Sequence, residues 1–226
     1  MAYDQVPIQE LDAALLGNTD PRCPVVLLLD NSQSMAGEPL KALNEGLRTF
    51  REELNGDALA SRRVEVAVVS FGPVTTVSDF TGAREFAPPH LEPAGDTPMG
   101  AAIERSLDLI EARKQAYRAA GLRYFRPWVF LITDGSPTDD WTNAARLVRE
   151  RTEKRSLSFF AVAVEDADME TLSKISVRPP RRLKGLQFRE MFQWLSSSLQ
   201  AVSGSRPEDD RVPLKDPTAD NSWASA

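Results

Sequence analysis

The chain has 226 residues, 42% hydrophobic and 27% charged, with 27 basic against 33 acidic side chains and a net charge of −6. That size suits one α/β domain with short extensions, and the acidic balance argues against a general nucleic-acid binder, which shows a basic excess. A single cysteine, Cys23, and a single histidine, His90, exclude an internal disulfide and a cysteine ligand cluster, and no nucleophile is placed beside the imidazole.

In chain order, residues 1–21 form an N-terminal segment with a short helix. They carry acids where a secretory signal would carry bases, and no run approaches the roughly 18–20 apolar residues of a membrane span. The expectation is a soluble, cytoplasmic protein of a reducing compartment. The first strand is Val25-Val26-Leu27-Leu28-Leu29, ending at Asp30. Leu40, Leu43, Leu47, Phe50 and Leu54 then recur at helical spacing behind Pro39, which the first turn of a helix tolerates. Val64, Val66 and Val68 alternate in a second strand over 64–71. Gly72-Pro73 turns the chain into residues 74–80, an antiparallel edge strand.

Residues 81–96 read as a long loop, and loops of that length in compact domains are functional or mobile. A helix from Met99 is marked by Ile103, Leu107 and Ile110 and fades through the charged stretch 111–118. Trp128-Val129-Phe130-Leu131-Ile132 is the next strand, ending at Thr133-Asp134-Gly135. A helix over 141–155, a strand over 159–164, a short helix over 166–173 and a last strand over 181–184 follow. Phe188, Met191, Phe192, Leu195, Leu199 and Val202 mark an amphipathic closing helix. Short apolar runs alternating with helices predict an open, mostly parallel, doubly wound (Rossmann-like) sheet with helices on both faces and one antiparallel edge strand. This globule spans 22–203. Residues 204–226, with three prolines and five acids, read as a polar tail without helix or strand.

Three loops deliver oxygen-bearing side chains: Asp30-Asn31-Ser32-Gln33-Ser34, Gly95-Asp96-Thr97-Pro98-Met99-Gly100, and Thr133-Asp134-Gly135. In an open parallel sheet such loops collect outside the carboxyl ends of the strands. The chemistry suits a small hard cation such as magnesium, which takes about six oxygens and keeps water where the protein leaves positions open. Ser32, Ser34 and Thr97 offer neutral hydroxyls, while Asp30 and Asp134 bind directly or hold coordinated waters. So few negative charges would leave the ion electrophilic, ready for a carboxylate from a partner. A lone D-x-S-x-S is also a common cap or turn, so the argument rests on all three loops in order.

LLLDNSQSM, GDTPMGAAI and FLITDGSPTDDW together resemble the metal-ion-dependent adhesion site of von Willebrand factor A domains, over roughly residues 22–203. The resemblance implies Asp30, Ser32, Ser34, Thr97 and Asp134 as site residues, Mg2+ as the ion (Mn2+ and Ca2+ being alternatives), and protein binding without catalysis. Asn31 and Gln33 stand where the family more often has Thr and Gly, a departure that bears on loop rigidity. Within the family, DGSPTDDW and the opening helix are most similar to the bacterial tellurite-resistance TerY-type proteins. That likeness implies an adaptor in intracellular stress signalling, alongside a kinase or phosphatase of the same system; the acidic balance and the lack of a long apolar run give the expectation of no nucleic-acid and no membrane partner.

A haloacid-dehalogenase-type phosphatase also ends its first strand in Asp, but needs an acid two residues on, where Ser32 stands. No glycine-rich phosphate cradle of either common spacing occurs. A metal-independent scaffold of the same fold is the other alternative. Asp96, beside Thr97, is a secondary candidate for the ion. Asp139 and Asp140 suit a helix start, near the metal face. Trp223, an aromatic in a polar tail, points to a docking segment, in cis or in trans. Arg178, Arg181, Arg182, Lys184 and Arg189 read as a solvated loop and strand end in preference to a dedicated anion site.

Overall fold

The computed structural model describes residues 17–165, 167–209, 212–219 and 222–225; the helix expected near the amino terminus falls outside them. The chain runs β1 (Cys23–Asp30), a 3-10 turn (Gln33–Met35), α1 (Glu38–Gly56), α2 (Ala60–Arg63), β2 (Val64–Phe71), β3 (Val74–Gly82), α3 (Met99–Ala119) and β4 (Trp128–Thr133). It continues through α4 (Thr142–Glu153), β5 (Ser158–Ala163), α5 (Met169–Ile175), β6 (Arg181–Leu183), α6 (Phe188–Gly204) and β7 (Ala224–Ser225). The sheet order is β3-β2-β1-β4-β5-β6-β7. β1 pairs in parallel with both β2 and β4, β4 with β5, and β5 with β6. The order reverses direction between β1 and β4, and the loops leaving those two strands part there.

Apolar pattern decides the layers. β1 and β2 are buried along their whole length, as central parallel strands covered on both faces must be. On one face, Leu43, Leu47 and Phe50 of α1 meet Phe188, Phe192 and Leu195 of α6 over Val25, Leu27 and Leu29. Gly46 lets the two helices approach, because a Cβ there would lie 2.6 Å from the Phe192 ring. The other face packs α3, α4 and α5 over Val26, Leu28, Val129 and Leu131. Each such side chain taken fully from water contributes roughly 1.5–3 kcal/mol.

Two sequence expectations change. α3 does not fade at residue 111 but runs to Ala119. Its charged turns are held by Lys114 and Arg118 on Glu111, and by Arg113 and Tyr117, which reach the buried Glu65 of β2 at 2.7 and 2.5 Å. The segment after Gly204 is not wholly without strand: Ala224–Ser225 pair antiparallel with Arg182 and Leu183, giving the sheet a second antiparallel edge. Trp223, only 2% exposed, packs edge-on against Trp194 of α6 at 5.6 Å, and this anchor holds the two residues after it on β6. A two-residue strand has no periodicity to read. Among the described residues no helix is long and apolar enough to cross a membrane.

Candidate metal centre

Because β1 and β4 are adjacent parallel strands, Asp30 at the end of one and Asp134 just beyond the other arrive side by side. Asp30 is fully buried. One of its oxygens accepts the Ser32 amide at 2.8 Å, closing a tight turn that brings the hydroxyls of Ser32 and Ser34 to 3.0 Å from each other. Its second oxygen accepts the Thr133 hydroxyl at 2.5 Å. Ser34 donates to Asp134 at 2.8 Å. One chain of contacts therefore links Asp30, Ser32, Ser34 and Asp134.

Thr97 comes from the loop before α3 and is clamped by the loop after β4. Its amide donates to the Thr138 hydroxyl at 3.2 Å, and its carbonyl accepts the Thr138 amide at 2.9 Å. Gly135 shows where the three loops converge. A Cβ at that position would sit 3.2 Å from the Thr97 hydroxyl and 3.9 Å from that of Ser34, so the glycine leaves open a space lined by oxygens of all three loops. The long loop 81–96 is tied to the first one. Asn31 donates to the Glu92 carbonyl at 2.9 Å and accepts the Ala94 amide on its own carbonyl at 2.8 Å, while the Gln33 amide reaches Gly95 at 3.1 Å. Gly72 backs this junction, where a Cβ would collide with the Ala94 carbonyl oxygen.

The electrostatics follow from burial. Desolvation pushes the Asp30 carboxyl up to about 6, although its bonds from Ser32 and Thr133 act the other way and the nearby Asp134 adds to the rise. Burial also raises Asp134, opposed by the Ser34 hydroxyl. Two carboxylates are thus held together at a cost that a divalent cation would remove. Among the described residues no group of three or more His, Cys, Asp or Glu is assembled as a metal cage. An ion here would depend on hydroxyls and water as much as on charge, a donor set that fits a hard, oxygen-seeking cation.

The five sequence-derived site residues, Asp30, Ser32, Ser34, Thr97 and Asp134, meet in one place, whereas the secondary candidates do not join them. Asp96 is exposed beside Thr97. Asp139 spends both oxygens on the first amides of α3, Gly100 at 2.9 Å and Ala101 at 2.8 Å. Asp140 caps its own helix through the amide and hydroxyl of Thr142. The sequence reading places Thr133 and Gly135 in the third loop without giving either a role, and does not single out Thr138. The position of Thr133 beside Asp134 at a strand end was the available signal, because its side chain must lie on the same sheet edge as Asp30. Cys23 is buried, and its thiol is pushed up to about 12 by desolvation and by Glu65, which leaves it inert as a nucleophile.

The sequence model of the von Willebrand factor type A domain matches residues 25–193. The chain belongs to this family. Solved structures share the fold at low identity. Proximal thread matrix protein 1 from the mussel byssus is 15% identical with a TM-score of 0.54, over 80% of this chain and 49% of that one. The pilus adhesin SpaC from Lactobacillus rhamnosus GG is 12% identical with a TM-score of 0.65, over 81% of this chain and 31% of that one. A further structure of the mussel protein, at 15% identity, a TM-score of 0.54 and coverage of 80% and 48%, has a zinc-occupied MIDAS motif. This von Willebrand factor A chain thus spans less than half the length of these structures.

Proposed function

We propose that residues 22–203 form a metal-dependent protein-binding domain whose ion is held by Asp30, Ser32, Ser34, Thr97 and Asp134. The observation that carries this reading is the convergence of three neutral hydroxyls and two buried or half-buried carboxylates from three loops at the strand ends. When bound, the cation supplies a Lewis-acidic position for a carboxylate of a partner protein. Asp30 anchors the first loop through the Ser32 amide and holds negative charge at the base of the site. Ser34 and Asp134 join the loops after β1 and β4. Thr138 fixes Thr97. Magnesium is the proposed resident; manganese, calcium and the zinc seen in the mussel relative are to be compared with it.

The proposed setting is bacterial and cytoplasmic: an adaptor in tellurite-resistance or stress signalling of the TerY type, binding an acidic segment of a kinase or phosphatase. The chain offers binding chemistry, not turnover, because the position two residues beyond Asp30 holds a hydroxyl in place of an acid. The direct Ser34–Asp134 hydrogen bond favours one rival, a scaffold that closes without an ion. Affinity capture from the native cell, with and without chelator, separates the two. The proposal expects a partner that is lost on chelation and lost again with Asp134→Asn. Partners retained in both cases would establish the metal-independent scaffold.

A further inference from the structure

β6 lies three strands from β1 in the sheet order, and its outer edge is taken by the chain's own C-terminal residues. The hold is mostly through main chain. Ala224 and Ser225 pair antiparallel with Leu183 and Arg182. The Trp223 carbonyl accepts the Lys184 amide at 2.9 Å, and the Ser222 carbonyl accepts the Lys184 ammonium at 2.8 Å. The Lys215 carbonyl accepts the Trp194 indole at 2.8 Å. Trp223, 2% exposed, is the aromatic anchor against Trp194. Main-chain bonds along an open strand, with one aromatic side chain in a pocket, are the pattern by which sheets recognise an added peptide strand. A segment of another protein can make the same main-chain bonds.

The cis occupant fits the groove incompletely. A cavity of about 280 Å³ remains beneath it, between Phe130, Val162 and Trp194 of the body and Leu214, Pro217 and Trp223 of the covering residues. The Trp223 Nε1 is buried without a hydrogen-bond partner among the described residues, whereas buried N–H groups are paired as a rule. Charge is poorly matched as well. Arg181, Arg182 and Lys184 put three cations on β6 and the residue after it. Arg182 and Lys184 bond the carbonyls of Glu165 and Ser222, neutral acceptors that leave the positive charge in place. The sequence 212–226 carries two acids, Asp216 and Asp220, but also Lys215. We propose that the β6 edge and the groove beside Trp194 bind an extended, acidic, aromatic-bearing segment of a partner protein by strand addition. The chain's own residues 212–219 and 222–225 are then an autoinhibitory occupant that such a segment displaces. The basic run over 181–184, which reads in sequence as a solvated strand end, selects the acidic partner. This site stands apart from the metal centre and does not rest on the ion.

The probe is a synthetic peptide of residues 212–226, labelled with fluorescein at its amino terminus and titrated into the full chain by anisotropy. Trp223→Ala in the chain vacates the groove. Ala224→Asp does so by a second route, because Ala224 is fully buried and a charge has no place there. Cooperative urea unfolding checks that each variant is folded, and either one suffices. The proposal expects saturable binding to the variants, at least tenfold tighter than to wild type, whose own residues compete. Lys215→Glu in the peptide tightens binding and Trp223→Ala in the peptide weakens it tenfold or more. Added salt weakens binding, and chelator leaves it unchanged. Absence of saturable binding to the folded variants at millimolar peptide would overturn the proposal. So would equal affinity for wild type and variants, indifference to the charge of the peptide, or loss on chelation, which would put the peptide carboxylates at the metal centre. Concentration-dependent dimers of the wild-type chain in sedimentation would assign the groove to a second copy and overturn it too.

Discussion

Replacing Asp30 by Asn should stabilise the metal-free domain at neutral pH, although the residue sits at the heart of the proposed site. The folded state holds the Asp30 carboxyl at about 6 instead of the ordinary 3.8, so it binds a proton more tightly than the unfolded chain does. Favourable burial of the neutral acid is fully present below about pH 4 and is lost as pH rises through 6. A displacement of about two pH units corresponds to about 3 kcal/mol of ionisation cost at pH 7.5. Asn has nearly the same shape, keeps an acceptor for the Ser32 amide and never ionises. Urea unfolding in the presence of chelator, at pH 4.5, 6 and 7.5, reads the difference directly. Wild type should lose stability across this window relative to the variant, and the variant should lead by up to about 3 kcal/mol at pH 7.5. A variant less stable than wild type by the same margin at every pH would refute the reasoning, because burial would then impose no ionisation cost.

Three further outcomes follow from named contacts. Glu65→Gln removes the carboxylate that Arg22 meets at 3.0 Å and Arg113 at 2.7 Å in a buried setting; thermal or urea unfolding should show a loss of about 3–5 kcal/mol. Asp139→Ala strips the cap from the first amides of α3 and should cost about 1 kcal/mol, while the proposed response to magnesium should survive, because both Asp139 oxygens are taken by those amides. Trp223→Ala empties the place beside Trp194; on the order of 3 kcal/mol is expected from such a truncation, with faster proteolytic cleavage after residue 204 as the local readout.

The central sheet was legible because its strands are short, continuous apolar runs whose ends coincide with the oxygen-bearing loops. Adjacent parallel strands bring the ends of Leu29–Asp30 and Ile132–Thr133 together, so the D-x-S-x-S and T-D-G motifs had one place to meet. Contacts that depend on three dimensions were not legible. The role of Thr133 needs the register of β1 against β4, and the value of Gly135 emerges only when Thr97 and Ser34 are beside it. Asp139 could be read as part of the metal face or as a cap; the close approach of α3 at Gly100, where a Cβ would meet the Asp140 carbonyl at 2.5 Å, made it a cap for a helix far away in sequence. The short strand Ala224–Ser225 was not legible because burial after Gly204, among the described residues, rests on Trp223 and a few apolar residues, Val212 and Leu214 among them, too sparse to produce a period. Docking in cis is what the structure records for Trp223.

The most direct test of the metal-dependent account is thermal unfolding of wild type and Asp134→Asn with chelator, magnesium, manganese, calcium or zinc. At about a hundredfold over the dissociation constant, a bound ion should add roughly 2.7 kcal/mol, which for a domain of this size is a rise of about 5–10 °C. The account predicts that rise for wild type with magnesium, and its loss in Asp134→Asn. An unchanged midpoint of wild type with all four ions, or an equal rise in the variant, would contradict it.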